Sequence, residues 1–206
     1  MKCQGVRRKK FWAGREKIFK NLLTNEMPYC IIRVYQTKGV IKMKHTYVER
    51  ATSFISAFLP FLEIYGFDTP DDVRLAAEYF NLYNNRRVKV CHGLTRIALV
   101  NSDYVVKFNY GGYVGTYGGC EEEVAMYQQA DSEGMAHLLA AITRVEVEGH
   151  VFYIMPRARY VGKTDLSLGN SEDEVDWLFD TLYDLHEFNC GVINGRAVVI
   201  DYACYA

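Results

Sequence analysis

A three-residue turn between two apolar runs limits the fold of this chain more than any other feature. The runs are Arg96-Ile-Ala-Leu-Val100 and Tyr104-Val-Val-Lys-Phe108, and Asn101-Ser-Asp103 separates them. Val, Ile and Tyr favour strands, whereas Asn, Ser and Asp favour turns. A connection this short joins antiparallel neighbours, because a parallel pair needs a crossover of about a dozen residues. The sequence therefore predicts a hairpin within an antiparallel sheet.

Further strands are predicted on both sides of this hairpin. They cover about residues 87–92, 138–145 and 151–155. Near the N-terminus, residues 31–35 and 39–43 are apolar enough to form a small hairpin of their own. Helical patterns lie before and between these strands, so we expect an α+β fold.

Two helices are predicted ahead of the sheet. Apolar residues three and four apart indicate an amphipathic helix over residues 45–65, broken or kinked near Pro60 and ended by Gly66. The helix-start signal Asp68-Thr-Pro-Asp-Asp72 introduces a second helix over about residues 71–83. We expect the pair to brace the sheet, because a small sheet cannot bury its outer face alone. A helix pair that binds a partner is the alternative.

Two more helices are predicted after the hairpin. One begins with Cys120-Glu-Glu-Glu-Val-Ala-Met-Tyr127, and the other covers residues 172–183, with acids in its first turn. The glycine-rich segment 111–119 precedes the first of them, and we expect a mobile flap whose Tyr113 and Tyr117 close over a substrate. The alternative is a phosphate-binding loop, but this segment lacks the Gly-Lys-Ser/Thr ending of a P-loop.

Charge is distributed unevenly along the chain. Residues 1–44 contain twelve of the twenty-four Lys and Arg but only two of the twenty-five acids, so the remainder has a formal charge of −11. A basic segment on an acidic body is typical of a nucleic-acid-binding arm or of a weakly ordered extension, and composition favours the extension. Met43 is a second candidate for the start of the native product.

Composition indicates a packed globular chain. Half of the residues are hydrophobic and 14% are aromatic. No apolar run approaches the roughly 18 residues that span a bilayer, and the basic N-terminus lacks the apolar stretch of a secretory signal. The six cysteines form no C-x-x-C pair, which favours reduced thiols. We therefore expect a cytoplasmic protein without a membrane partner.

Three polar residues near the C-terminus form a phosphotransfer pattern. Asp184 is followed by Asn189 five residues later, and Asp201 ends the apolar run Val198-Val-Ile. An Asp can orient and accept the proton of an attacking hydroxyl. An amide oxygen and a second carboxylate are hard ligands that suit Mg²⁺ beside nucleotide phosphates.

These segments resemble the protein-kinase-like superfamily, which includes protein kinases, aminoglycoside and choline phosphotransferases, and small phage relatives. Asp184-Leu-His-Glu-Phe-Asn189 is similar to the D-L-H-x-x-N catalytic loop of the antibiotic kinases. Val198-Val-Ile-Asp201 is similar to the strand before the metal-binding Asp. The resemblance covers about residues 88–203 and implies that Asp184 is catalytic and that Asn189 and Asp201 bind metal.

The upstream segments extend the resemblance. Lys107 ends a Val-Val run, as does the lysine that binds the nucleotide phosphates in kinases. Glu123 lies sixteen residues later, in a pattern similar to N-x-x-E-x-x-x-Y, and is implied as the ion-pair partner of that lysine. Glu122 is the alternative partner if the helix is rotated. Met155 precedes Pro156-Arg-Ala, which matches the hinge that holds adenine.

The chain departs from the family pattern in several places. Gly93 is the one glycine in the phosphate-loop region, so Thr95 or Arg96 would have to assist in holding the phosphates. Leu182 stands where kinases carry His, and Tyr202-Ala203 replaces Phe-Gly. The sequence ends five residues after Asp201, so we expect a minimal C-terminal lobe.

The resemblance implies a bilobal fold and a phosphotransferase that uses ATP and Mg²⁺. We expect a basic extension over residues 1–44, bracing helices over 45–85, an N-terminal lobe over 86–157 and a small C-terminal lobe over 158–206. The leading hypothesis is a small phage-type or bacterial kinase that phosphorylates a host protein, in the host cytoplasm, or itself. The alternative is a catalytically weak kinase-like module that binds and regulates a host protein. Nucleic-acid binding through residues 1–44 is compatible with either.

Overall fold

The computed structural model describes residues 32–34, 45–110, 119–160 and 165–203, and within them the fold is α+β, as predicted. The helices of this part of the chain are α1 (His45–Tyr65), α2 (Pro70–Asn84), α3 (Cys120–Ser132) and α4 (Glu172–Thr181). Its strands are β1 (Ile32–Val34), β2 (Lys89–His92), β3 (Arg96–Val100), β4 (Tyr104–Asn109), β5 (Thr143–Val147), β6 (His150–Pro156), β7 (Cys190–Ile193) and β8 (Arg196–Val199). None of these helices is long and apolar enough to cross a membrane.

Six of the strands form one antiparallel sheet in the order β1-β5-β6-β4-β3-β2. The predicted hairpin is confirmed as β3 and β4, in which Ala98 lies opposite Lys107. Strand β1 pairs with β5. The segment 39–43 that was predicted to pair with it lies outside the described residues, as do the rest of the basic extension and the flap residues 111–118.

The predicted strand over residues 138–145 is wrong in its first half. Residues Ala136–Leu138 form a 3₁₀ turn, and the strand starts at Thr143. The intervening residues leave the sheet because they enter a second core, where Leu139 bridges to Val199 and Ala140 donates its amide hydrogen to Val199 O. An apolar run of this kind can be buried equally well in a strand or in a packed connection.

Helices α1 and α2 cover one face of the sheet, with α1 in contact with β4, β5 and β6. Aromatic side chains fill the interface: the ring of Phe80 lies 5.5 Å from that of Phe54 and 5.2 Å from that of Phe58, edge to face. Of the expected break or kink near Pro60, the break is wrong, because α1 is continuous through that residue. The second helix begins as predicted, with the Thr69 side chain accepting a hydrogen bond from the Asp72 amide.

A second buried cluster joins β6, α3, α4 and strands β7 and β8. Tyr127, Tyr153 and Tyr202 are among its largest fully buried side chains. The Tyr202 hydroxyl donates to Ala140 O at 2.6 Å, and burial raises the pKa of Tyr202 well above its ordinary value. This anchor fixes the backbone next to Asp201.

Strands β7 and β8 form a separate tight hairpin. Its two central residues, Asn194 and Gly195, both have positive φ angles, of 52° and 83°, which is the requirement of a type I′ turn. The hairpin brings its two ends together, and the Ile200 amide donates to Asn189 O at 2.7 Å. The short turn between β7 and β8 therefore places Asn189, which precedes β7, next to Ile200, which precedes Asp201.

Candidate functional site

A cleft of about 690 Å³ opens between the sheet and the ends of the β7–β8 hairpin. Four of the residues singled out from sequence line it: Lys107, Met155, Asn189 and Asp201. They come from β4, β6, the loop after α4 and the segment after β8.

Lys107 is held at the inner end of the cleft. Its side chain leaves the central strand β4 between Ala98 of β3 and Tyr153 of β6. The residue is 8% exposed, and its ammonium donates to Glu123 Oε1 at 2.6 Å and to Ile200 O at 2.9 Å. A buried cation needs such partners, because leaving it unpaired would be costly.

Glu123 is the buried carboxylate of helix α3, with no exposed surface. Glu122, the alternative partner for Lys107, is partly exposed. Burial raises the pKa of Glu123, and the neighbouring cations Lys107 and Arg96 oppose that rise. The second oxygen, Glu123 Oε2, has no hydrogen-bond partner among the described residues.

Arg96 completes the network, a pairing that sequence reasoning missed. It starts strand β3, and its guanidinium lies 3.1 Å from Glu123 Oε1 and 2.7 Å from Asp201 Oδ1. Burial lowers the pKa of Arg96, but the charges of Glu123 and Asp201 outweigh burial and raise it above its ordinary value. Side chains alternate between the two faces of a strand, so Arg96 lies on the same face of β3 as Ala98, which lines the cleft. This alternation is the sequence signal that could have placed Arg96 near the site.

Asn189 and Asp201 lie together at the floor of the cleft. Asn189 ends a 3₁₀ turn, and its side-chain amide donates to Asp184 O at 2.9 Å. The backbone carbonyl oxygen of Asn189 accepts a hydrogen bond from the Ile200 amide. Asp201 is partly exposed and held on one oxygen by Arg96.

Asp184 lies on the exposed loop after α4 and does not line the cleft. Its side chain is 70% exposed, and His186 Nε2 is 3.7 Å from Asp184 Oδ1. The His186 ring also accepts from the Phe188 amide, which fixes the turn. The Asp184 carboxylate is therefore open to solvent.

Gly93 and Thr95 belong to the turn between β2 and β3 and also lie outside the cleft lining. The Tyr110 hydroxyl ties this turn to β4 by donating to Gly93 O and Leu94 O, at 3.0 and 2.9 Å. The Tyr110 amide donates to Thr95 O. A Cβ added at Gly93 would meet no atom within 4 Å, so this glycine is not required by close packing.

The cleft combines apolar walls with an excess of positive charge. Val100, Val105 and Met155 line its walls. The described cations in the lining are Lys89, Lys107, Arg157 and Arg159, against Asp201 as the acid. Such a lining suits a ligand with a flat apolar part and several negative charges.

Two oxygen donors in the cleft have the chemistry that Mg²⁺ prefers, namely the Asn189 amide oxygen and the Asp201 carboxylate. Arg96 already neutralises that carboxylate. No group of three or more His, Cys, Asp and Glu that could hold a metal occurs in the described part of the chain. These two residues could hold the ion only as part of a set completed by phosphate or water oxygens.

The site thus links Lys107, Glu123, Arg96 and Asp201 by direct contacts. Asn189 shares the cleft lining with Asp201 and is hydrogen-bonded to Asp184 O on the exposed loop. No protein-family model matches the chain, and comparisons with the curated proteins and with the solved structures give no significant match.

Proposed function

We propose that the cleft binds a nucleoside triphosphate and that the chain is an ATP- and Mg²⁺-dependent phosphotransferase of protein-kinase-like, bilobal fold. The observation that carries this proposal is the buried Lys107–Glu123 ion pair at the inner end of a cationic cleft, next to Asn189 and Asp201. The acceptor is a hydroxyl group of a protein, either another protein or the chain itself.

The fixed position of Lys107 supports phosphate binding. Of its three N–H donors, the described contacts use two, with Glu123 and Ile200 O. The third is available to a phosphate oxygen of the nucleotide. Since the ammonium is held before the nucleotide arrives, little of the binding free energy goes into orienting it.

The apolar walls support binding of the base. Val100 and Val105 line the wall of the cleft that the sheet forms. Met155 is near the end of β6, just before the segment that leads from the sheet towards α4 and the β7–β8 hairpin. That segment is tied to the β3–β4 turn, because Arg157 donates through its amide to Asp103 O and through its guanidinium to Asn101 O. A rigid connection of this kind can hold a purine against the apolar wall.

The loop after α4 and the segment after β8 carry the residues proposed for phosphoryl transfer. Asn189 and Asp201 would hold Mg²⁺, which supplies charge neutralisation at the phosphates when bound. Asp184 would accept the proton of the acceptor hydroxyl. The oxygen of that hydroxyl would take up the γ-phosphoryl group of ATP, and ADP would leave. The exposure of Asp184 favours an acceptor on a protein surface over a small molecule enclosed in a pocket.

Transfer of label from γ-labelled ATP in the presence of Mg²⁺ tests this function, with the protein alone and with a bacterial lysate. We expect a labelled band that is lost in Asp184→Asn and in Asp201→Asn. Asp180→Asn is the matched control, because Asp180 is an exposed acid on α4 outside the site. Folded protein that gives no label, or label that persists in both site variants, would contradict the proposal.

A binding module without transfer activity is the second candidate function. The Arg96–Asp201 ion pair favours it, because it covers a residue that transfer would need for metal. Exposed aromatic side chains next to Asp184, at Tyr183 and Phe188, offer a surface for a protein partner. A stable complex recovered from lysate that survives Asp184→Asn, together with no label, would favour this function.

A further inference from the structure

Arg96 lies where it can take over part of the role of a metal ion, and we propose that the cleft binds nucleoside triphosphate without a divalent cation. The guanidinium of Arg96 would contact the phosphates in place of that cation. This inference rests on the proposed nucleotide site. It separates nucleotide binding from phosphoryl transfer, which would still use Mg²⁺.

The first argument is charge balance within the network. Lys107, Glu123, Arg96 and Asp201 alternate in sign, with contacts of 2.6, 3.1 and 2.7 Å between successive members. Their formal charges sum to zero. Both carboxylates are therefore neutralised by side chains of the protein, and no metal is needed to relieve repulsion between Asp201 and a phosphate.

The second argument is the donor capacity of the guanidinium. Arg presents five N–H donors in a planar fork that matches phosphate geometry. Only Nη2 forms a hydrogen bond with Asp201. Although Nη1 lies near Glu123, it is buried without a hydrogen-bond partner among the described residues. Nη1 is therefore turned towards Glu123, and the donor left for a phosphate oxygen is the second N–H of Nη2, on a side chain that is 18% exposed and contacts Asp201 of the cleft lining.

The third argument is the charge of the surrounding cleft. Lys89, Arg157 and Arg159 line it together with Lys107, and Asp201 is the acid among the described lining residues. Because the network of Lys107, Glu123, Arg96 and Asp201 is neutral as a whole, the other lining cations make the cleft positive in the absence of metal. Screening of the ligand by Mg²⁺ is then less important than in a site lined by several acids.

The fourth argument is the phosphate loop, where backbone support is reduced. The β2–β3 turn has one glycine, Gly93, and the Tyr110 hydroxyl holds the carbonyl oxygens of that turn. Arg96 follows the turn on the face of β3 that carries the lining residues Ala98 and Val100; it is not itself part of the lining and borders the cleft through its contact with Asp201. Its side chain can supply the positive charge that a longer glycine-rich loop would supply through amide groups.

Calorimetric titration of the whole protein with ATP, in excess EDTA and in excess Mg²⁺, tests the inference. For wild type we expect dissociation constants that agree within about threefold, a difference below the tenfold that about 1.4 kcal/mol represents. In Arg96→Met we expect affinity in EDTA to fall by about tenfold to a hundredfold, the range for losing a charge-assisted hydrogen bond. Arg74→Met, which changes an exposed arginine of α2, is the matched control.

Asp201→Asn provides a second variant that leaves Arg96 intact. It frees the guanidinium from its carboxylate, so we expect ATP affinity in EDTA to equal or exceed that of wild type. In excess Mg²⁺, a site that holds ATP through a metal on Asp201 would instead lose affinity on this change. Thermal unfolding of each variant shows whether it is folded. If Arg96→Met does not fold, Arg96→Lys replaces it, and we expect a smaller loss of ATP affinity for Arg96→Lys.

The outcomes separate the two proposals. Binding of ATP by wild type only with Mg²⁺, or equal affinity of Arg96→Met and wild type in EDTA, would overturn the inference and leave the nucleotide site standing. Folded protein that binds no ATP under either condition would overturn both.

Discussion

Glu123 and Lys107 form an ion pair of 2.6 Å, and the carboxylate of that pair has no exposed surface. The two residues come from different elements, helix α3 and strand β4, so the pair fastens the helix to the sheet. Arg96 shares the same carboxylate oxygen, Glu123 Oε1, and extends the contact to Asp201.

Removal of this carboxylate should destabilise the fold. Glu123→Ala leaves the buried Lys107 without its carboxylate and Arg96 with Asp201 alone, and we expect the free energy of unfolding to fall by about 3–5 kcal/mol. Urea unfolding followed by circular dichroism measures it. Glu78→Ala, an exposed acid of α2, should change stability by no more than about 0.5 kcal/mol. Equal effects of the two changes would contradict the structural role of Glu123.

The two lysines of the cleft should contribute unequally to ATP binding. Lys107 lies at the buried inner end and Lys89 is an exposed residue of β2. We expect Lys107→Met to weaken ATP binding by about tenfold or more, and Lys89→Met by much less, because exposed charges are screened by solvent. Titration calorimetry compares them. A larger loss for Lys89→Met would place the phosphates at the mouth of the cleft.

The close approach of strand β7 to the segment after β6 should make Gly191 sensitive to substitution. A Cβ at Gly191 would lie 2.6 Å from the Ala158 Cβ. We expect Gly191→Ala to cost about 1–3 kcal/mol, as overpacking does. The double variant Gly191→Ala with Ala158→Gly should recover most of that loss. Gly93→Ala is the control, since a Cβ there meets no atom within 4 Å.

Glu174 should make stability depend on pH on the acid side. It accepts from the Ser171 amide in a capping box and lies 2.5 Å from His137 Nε2. The hydrogen bond from Ser171, followed by that from His137, holds the pKa of Glu174 below its ordinary value of 4.5. The stabilisation is therefore present above that value and is lost as the pH falls through the lower pKa of the folded state.

The measurement for Glu174 is the melting temperature as a function of pH. Glu174→Gln should melt below wild type at neutral pH, and the difference should shrink in acid. Glu172→Gln, which changes an exposed acid in the same first turn, is the control. A difference that stays constant down to strongly acid pH would show that the charge of Glu174 is not what stabilises the cap.

Much of the local structure could be predicted from the sequence because it depends on neighbours in the chain. Alternation and turn residues locate β3 and β4, and helical spacing locates α1 and α2. The connection at residues 139–142 could not be predicted, since its burial depends on contacts of Leu139 and Ala140 with Val199, about sixty residues later.

The part of the site that could be predicted is the part whose residues occur in the order and spacing of a known family. The contact of Lys107 with Glu123 was implied by the resemblance of their segments to those of kinases, and the structure brings the two side chains together. The contact of Arg96 with Asp201 spans 105 residues. It depends on the register of β3 and on how the end of β8 packs below the sheet, and neither is encoded in a local pattern.

The most direct test of the account is a crystal structure with a non-hydrolysable ATP analogue. We predict that the analogue occupies the cleft, with a phosphate oxygen within about 2.7–3.2 Å of Lys107 Nζ and its base against Val105 and Met155. An analogue bound outside the cleft, or inside it with its phosphates turned away from Lys107, would contradict the proposed function.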